Sequence, residues 1–216
     1  MGMHQALDAR QRADLVAGLE GQLNLLHQTT MASVRRHAAA RGVEPETVIK
    51  TSLQGFVMAH GIGRYGMRCP VRKLADRLCF THAFNLLLDD PRYIYCEGYA
   101  SRLDLGIAIH HAWVIDPAAG YNVVDNTWRA PARAVYCGVP FKRDFVYQTL
   151  SRRRVYGVLD DWQGGYPILS AEPATFLHEA AGTIPADFTL SVRPDDGMMN
   201  HLLSGSFGGK HGRYPD

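Results

Sequence analysis

The chain lacks the features that would place it in a specialised class of protein. Its 216 residues contain four cysteines and no CxxC pair, and the formal net charge is only +2. There is no apolar run of about 18 residues that would predict a transmembrane helix. The N-terminal string "MGMHQALDARQRADL" has no apolar segment of the secretory type. We therefore expect a cytoplasmic protein with reduced thiols and neither nucleic acid nor membrane as a partner, although secretion without a classical signal peptide stays open.

Helical patterns come first along the chain, and strand patterns follow. Apolar residues recur at helical spacing over 5–41, and further helices are predicted over 44–59 and, centred on "CFTHAFNLLLDD", over 71–90. The period then changes to one typical of strands, over 92–100, 107–116, 121–128 and 132–141. This order predicts an α+β fold, in which N-terminal helices and a central helix pack on an antiparallel sheet.

The same patterns suggest how the chain is divided. We expect an N-terminal helical region over 1–60, a core over 61–192 and a flexible tail over 193–216, where Gly, Pro and Asp become frequent. The Gly-rich string "HGIGRYGMRCP" (60–70) matches no phosphate-binding pattern, so it is interpreted as a plain connection. Residues 142–162 return to a helical or mixed pattern.

Two predicted strands carry residues that suit nucleophilic catalysis. His111 and Asp125 have nearly equal offsets from the turn "PAAG", which joins their strands, so they are expected to be neighbours across the hairpin. His110 and His111 must point to opposite faces of one strand. His111 shares its parity with Trp113 and Ile115, and we therefore choose His111 as the histidine on the core side.

Three short strings resemble a known superfamily. "CEGYA" (96–100), "HAW" (111–113) and "VDNTW" (124–128) are similar to motifs of the transglutaminase-like and papain-like cysteine hydrolases. The resemblance covers 77–141, roughly a third of the chain. It implies a papain/transglutaminase-like fold, a Cys-His-Asp triad in that order, and acyl transfer from an amide through a thioester. Peptide hydrolysis, glutamine deamidation and transamidation share this chemistry, and a protein or peptide substrate is then expected.

The position of the nucleophile is decided by chain length. A literal motif match selects Cys96, but the 15 residues from Cys96 to His111 would have to hold the nucleophile helix, a loop and a strand. A helix of ~10 residues alone spans about 15 Å. From Cys79 to His111 there are 32 residues, enough for a helix, a turn and a full strand. We therefore predict Cys79 as the nucleophile and keep Cys96 as the alternative.

The resemblance also implies two oxyanion donors. The backbone N–H of Cys79 supplies one. Papain-like enzymes place a Gln shortly before the cysteine, and "VRKLADRLC" has none. Residues that could line the site or serve as the second donor are His82, Asn85, Gln54, Trp113 and Trp128.

Two other classes of function stay open. Cys96, His110, His111 and Asp116 are ligand types for a metal, but adjacent strand histidines point apart and no tetrahedral spacing is present, so we expect neither a metal nor another cofactor. A non-catalytic binding module with a degenerate papain-like fold is the second alternative. The oligomeric state and the exact substrate are not predicted by the sequence.

Overall fold

Helices pack on one antiparallel sheet in the structure, a computed structural model that describes residues 6–70, 73–75, 77–153 and 155–194. The predicted α+β class is confirmed. The helices are α1 (Ala9–Arg41), α2 (Pro45–Val48), α3 (Leu53–His60), α4 (Cys79–Asp89), α5 (Arg143–Arg153) and α6 (Pro173–Phe176). The strands are β1 (Ile62–Tyr65), β2 (Ile94–Arg102), β3 (Ile109–Asp116), β4 (Asn122–Val124) and β5 (Ala134–Phe141), in the sheet order β1-β5-β2-β3-β4.

Local signals fix the ends of α1. The Asp8 side chain accepts a hydrogen bond from the Gln11 backbone N–H at 2.8 Å, and the Gln11 side chain accepts one from the Asp8 backbone, which is a capping box. Gly42 ends the helix in the left-handed conformation with φ 65°. The helix therefore begins at Ala9, four residues later than the predicted start at residue 5.

The helix predicted over 44–59 is two helices. Ile49, at the end of α2, is extended, and the Ser52 side chain then caps α3 by accepting a hydrogen bond from the Gly55 N–H at 3.1 Å. A serine at this position competes with helix continuation and starts a new helix instead.

The prediction that 60–70 is a plain connection is wrong, because this segment contains β1. Its four residues pair antiparallel with β5, and Gly63 lies opposite Cys137. A Cβ on Gly63 would lie 2.3 Å from the Phe188 carbonyl oxygen, so glycine permits a close approach of two backbones. The partner strand is more than 60 positions away along the chain, and no local pattern reports such a pairing.

The hairpin of β3 and β4 is shorter than predicted. "PAAG" forms one turn of 3₁₀ helix followed by Gly120 at φ 71°, and the ladder extends only from Asp116–Asn122 to Val114–Val124. The strand predicted over 121–128 therefore ends at Val124. Asp125 follows immediately, outside the ladder.

The sheet has two buried faces. One packs against the helices and includes Leu19 and Leu23 of α1 together with Tyr95 and Val139. The other carries an aromatic cluster, which we define as Trp113, Trp128 and Tyr136. The N-terminal helices thus share a hydrophobic core with the strands of the predicted 61–192 core.

Two further expectations concern the ends of the chain and the membrane. Most of the tail predicted over 193–216 lies outside the described residues, since the description stops at residue 194. Within the described ranges, no helix has both the length and the apolar character that a bilayer crossing requires.

Leu23→Ala tests the integration of α1 into the core. Leu23 is 0% exposed, so its truncation should lower the free energy of unfolding by about 3 kcal/mol through lost burial and a residual cavity. Leu25→Ala is the control on the same helix, because Leu25 is 54% exposed and should change stability by less than about 0.5 kcal/mol. Urea denaturation measures both, and equal effects would contradict a shared core.

Candidate active site

Cys79 is the first residue of α4. The preceding residue, Leu78, provides no side-chain cap, and Arg77 has a left-handed backbone with φ 68°. The N–H groups of a first helical turn have no intrahelical acceptor, and they carry the positive end of the helix dipole. The Cys79 side chain is therefore next to a set of backbone donors that can stabilise negative charge. The residue is 8% exposed.

His111 and Asp125 form a direct pair on the other side of the site. The His111 Nε2 donates to the Asp125 Oδ2 at 2.9 Å, and the residues are 1% and 2% exposed. The Asp125 Oδ1 accepts from the backbone N–H of Thr127 at 2.9 Å, and the Oδ2 also accepts from the Tyr136 hydroxyl at 2.9 Å. Both carboxylate oxygens therefore have donors.

The Cys79 thiol lies close enough to His111 to raise the pKa of the imidazole through its charge and hydrogen-bonding capacity. Since the Nε2 of His111 is occupied by Asp125, Nδ1 is the ring nitrogen available to the thiol. The structure thus brings together the three predicted triad residues, in the order thiol, imidazole, carboxylate.

The charges of this cluster favour an ionised pair. Burial by itself lowers the pKa of His111, but the charge and hydrogen bond of Asp125, aided by Cys79, outweigh it and raise the pKa to about 9. Burial likewise raises the pKa of Asp125, but His111, the Thr127 N–H and the Tyr136 hydroxyl outweigh it and hold the pKa below its usual value. The pair is therefore imidazolium and carboxylate near neutral pH.

Aromatic rings enclose the histidine. The Trp128 ring stacks on His111 with centroids 4.2 Å apart, and Trp113 lies at 6.2 Å. The guanidinium of Arg102 lies over Trp128 at 5.2 Å from the ring centroid. These rings exclude water from the His111–Asp125 hydrogen bond, which strengthens it.

His110 occupies the opposite face of β3. Its Nε2 lies 3.0 Å from the Oε1 of Glu97, although the two atoms do not form an aligned hydrogen bond. The Phe80 ring packs against it with centroids 5.1 Å apart. Glu97 is fully buried and accepts from the backbone N–H groups of Val158 and Leu159.

Cys96 lies within the sheet, opposite Trp113 on β3. It is 0% exposed, and its thiol contacts the Ile94 carbonyl oxygen at 3.9 Å. Burial raises the pKa of this thiol far above its usual value. The environment of Cys96 is that of a core residue.

The three candidates for the second oxyanion donor lie in different places. The Gln54 side-chain amide donates to the Tyr99 hydroxyl at 2.8 Å. Asn85 is exposed, six positions along α4 from Cys79. His82 is buried one turn after Cys79, with its Nδ1 3.1 Å from the Thr127 hydroxyl, and burial lowers its pKa despite the nearby Asp125.

Sequence reasoning missed the roles of Thr127 and Tyr136. Thr127 stood in the quoted string "VDNTW", so its proximity to Asp125 was visible, but its backbone hydrogen bond was not. Tyr136 had no comparable signal, because it reaches Asp125 from β5 through the folded sheet. Its only sequence feature was its place in a predicted strand.

The described residues also bear on the metal alternative. Across the ranges that the structure describes, no group of three or more His, Cys, Asp or Glu side chains converges as a metal site would require. His110 and His111, two of the ligand types considered, face opposite sides of the sheet.

Comparison of the chain with protein-family models, with curated proteins and with solved structures finds no significant match.

The His111–Asp125 pair predicts a pH dependence of stability. A pKa raised from 6.5 to about 9 on folding contributes stability that is complete below pH 6.5 and is lost as the pH rises through 9. The free energy of unfolding should therefore fall by up to roughly 3 kcal/mol across this window. Urea denaturation of His111→Gln is the comparison, since this variant should lack that part of the decline. An equal decline in both proteins would contradict the pairing.

Proposed function

We propose that the chain is a cysteine-dependent acyl-transfer enzyme that acts on amide bonds with Cys79, His111 and Asp125 as its triad. The observation that carries the proposal is the convergence of three groups: the Cys79 thiol at the N-terminus of α4, the His111 ring whose pKa that thiol helps to raise, and the Asp125 carboxylate bonded to His111. This is the arrangement that nucleophilic catalysis by a thiol needs: an adjacent base and a third group that orients the base.

The reaction has two steps at one carbonyl carbon: the Cys79 sulfur replaces the amide nitrogen, and water or an amine then replaces the sulfur. Transfer of the Cys79 thiol proton to the Nδ1 of neutral His111 gives a thiolate and the imidazolium that Asp125 stabilises, and the thiolate sulfur attacks the amide carbon. The carbon–nitrogen bond breaks while His111 returns the proton to the leaving nitrogen, which produces a thioester. Water or an acceptor amine, losing its proton to His111, then attacks the thioester and releases the Cys79 sulfur.

The N-terminus of α4 supports the stabilisation of the tetrahedral intermediate. The backbone N–H of Cys79 belongs to a first turn with no side-chain cap, so it is available to an oxyanion. Of the candidates for the second donor, His82 lies nearest to Cys79 along α4, but its Nδ1 is already within hydrogen-bonding distance of Thr127.

Burial favours Cys79 over Cys96 as the nucleophile. The Cys79 thiol interacts with the His111 ring. The Cys96 thiol is enclosed on the aromatic face of the sheet, where burial raises its pKa and so disfavours its ionisation. On this proposal, the string "CEGYA" resembles a nucleophile motif but lies on β2, beside the site, and does not contain the nucleophile. The ordered "HAW" and "VDNTW" strings, which resemble the transglutaminase-like and papain-like hydrolases, support a fold of that superfamily.

A binding module without activity is the second candidate function. The observation in its favour is that Gln54 is bonded to Tyr99, so this amide is not placed as an oxyanion donor. A module of this kind would retain the buried His111–Asp125 pair for stability and would not depend on a reactive thiol. Thiol reactivity therefore separates the two candidates.

The enzyme proposal predicts selective alkylation of Cys79. Iodoacetamide at pH 7 should label Cys79 ahead of Cys96 and Cys137, because an imidazole beside a thiol increases its thiolate fraction. The rate constant for Cys79 should fall by about tenfold in His111→Ala, in line with a free cysteine being only a few per cent thiolate at this pH. Peptide mapping by mass spectrometry after timed labelling measures each site.

Cys96→Ala is the matched control for this labelling. It removes the alternative nucleophile without touching the Cys79–His111 contact, so the Cys79 rate should be unchanged. Slow labelling of Cys79, Cys96 and Cys137 alike in the wild-type protein would favour the binding module. Loss of Cys79 labelling in Cys96→Ala, with the fold retained, would contradict the assignment of Cys79.

The product distinguishes the reactions that share this mechanism. Candidate proteins incubated with the wild-type chain should be cleaved by a protease, converted at glutamine without cleavage by a deamidase, or joined to an amine by a transamidase. Intact-mass and peptide spectra identify which change occurs. Cys79→Ala should abolish it, since no thioester can form. A product that persists in Cys79→Ala would point to a different catalyst.

A further inference from the structure

We propose that Tyr136 is a positioning residue of this site, which holds the Asp125 carboxylate in the orientation that pairs with His111. The inference rests on the proposed function for its effect on reactivity, and on geometry for its effect on the pair. The Tyr136 hydroxyl donates to the Asp125 Oδ2 at 2.9 Å, and the same oxygen accepts from the His111 Nε2 at 2.9 Å.

Asp125 needs such a partner because of its place in the fold. The β3–β4 ladder ends at the pair Val114–Val124, so Asp125 lies just beyond the regular backbone pairing. Its orientation then depends on contacts to its side chain. The Thr127 N–H holds Oδ1, and the Tyr136 hydroxyl holds Oδ2. Two fixed donors leave the carboxylate little freedom to rotate away from His111.

Tyr136 reaches Asp125 across the sheet. It lies on β5, opposite Ala100 of β2, and β2 separates β5 from β3. The β2 residue opposite His111 is Gly98, so the two β2 positions nearest to this path carry a methyl group and a hydrogen. Small side chains on the central strand leave room for the tyrosine ring to pass.

Packing fixes the ring itself. Tyr136 is fully buried, with ring centroids 5.0 Å from Trp113, 5.7 Å from Trp128 and 6.1 Å from His111. A ring enclosed in this way presents its hydroxyl in one direction. The hydroxyl remains a neutral donor, because burial, followed by the charge of Asp125, raises the pKa of Tyr136 well above its usual value.

Other groups also influence the pair. His82 interacts electrostatically with Asp125, while Cys69 and Arg102 interact with Tyr136. Removal of the Tyr136 hydroxyl leaves the interaction of His82 with Asp125 in place. The titratable and charged groups that influence the Asp125–Tyr136 pair are His111 from β3, His82 from α4, Cys69 from the segment after β1 and Arg102 from the end of β2.

Tyr136→Phe tests the role of the hydroxyl while keeping the ring. The rate constant for iodoacetamide labelling of Cys79 at pH 7 should fall by about tenfold, the effect of losing one hydrogen bond to a charged group. Because that bond lowers the pKa of Asp125, the titration of the Asp125 carboxyl should move to higher pH in the variant. Carboxyl ¹³C NMR measures this titration. If Tyr136 contributed only the packing of its ring, the Asp125 titration would be the same in Tyr136→Phe and in the wild-type protein.

Tyr95→Phe is the matched control. Tyr95 is equally buried and donates to a buried carboxylate, the Oε2 of Glu97, at 3.0 Å on the other face of the sheet. It should lose comparable stability and leave the Asp125 titration unchanged. An Asp125 titration that moves equally in both variants, or one that is unmoved in Tyr136→Phe, would overturn the inference.

Two further readouts keep the inference separate from the proposed function. If wild-type Cys79 is unreactive and insensitive to His111→Ala, the proposed function fails, and the Asp125 titration still decides the role of Tyr136. If Tyr136→Phe does not fold, the wild-type protein provides the test. Its Tyr136 hydroxyl proton should give an exchange-protected NMR signal that shifts when Asp125 is protonated, and the absence of such a signal would overturn the inference.

Discussion

The buried ion pair between His111 and Asp125 is the constraint on which the rest of the site depends. Removing two charges from water costs several kcal/mol for each ion, and the mutual attraction repays this only when the remaining polar atoms are also satisfied. The Thr127 N–H and the Tyr136 hydroxyl meet this requirement at the carboxylate. A second requirement is the exclusion of water, which would weaken the pair, and the stacked ring of Trp128 meets it.

The sheet topology explains how a helix can reach this pair. β4 is only three residues long, so its ladder with β3 stops at Val114 and does not extend to His111. The N-terminus of α4 reaches the part of β3 that pairs with β2 but not with β4. There Cys79 interacts with His111, and Phe80 packs against His110. A longer β4 would pair with this part of β3. The short strand is therefore what gives the thiol access to the imidazole.

Local patterns predicted much of the secondary structure, and they failed where distant residues decide. The helical and strand periods indicated α1, α4 and four of the five strands found in the described residues, because burial on one face imposes those periods on the sequence. β1 was missed, since its Gly-rich string becomes a strand only by pairing with β5. The break between α2 and α3 depends on the cap at Ser52, a local signal that the apolar pattern obscured.

The sequence by itself predicted the α+β order of elements. Together with the resemblance of its short motifs to the cysteine hydrolases, it suggested Cys79, His111 and Asp125 as candidates, because chain length, strand parity and a short turn limit which residues can meet. The tertiary structure decided their environments. It enclosed Cys96 in the core, placed Cys79 near His111 and brought Tyr136 of β5 to Asp125, which follows β4. The physical reason is that desolvation and hydrogen bonding depend on all the chain segments that surround a group, and these segments are distant along the sequence.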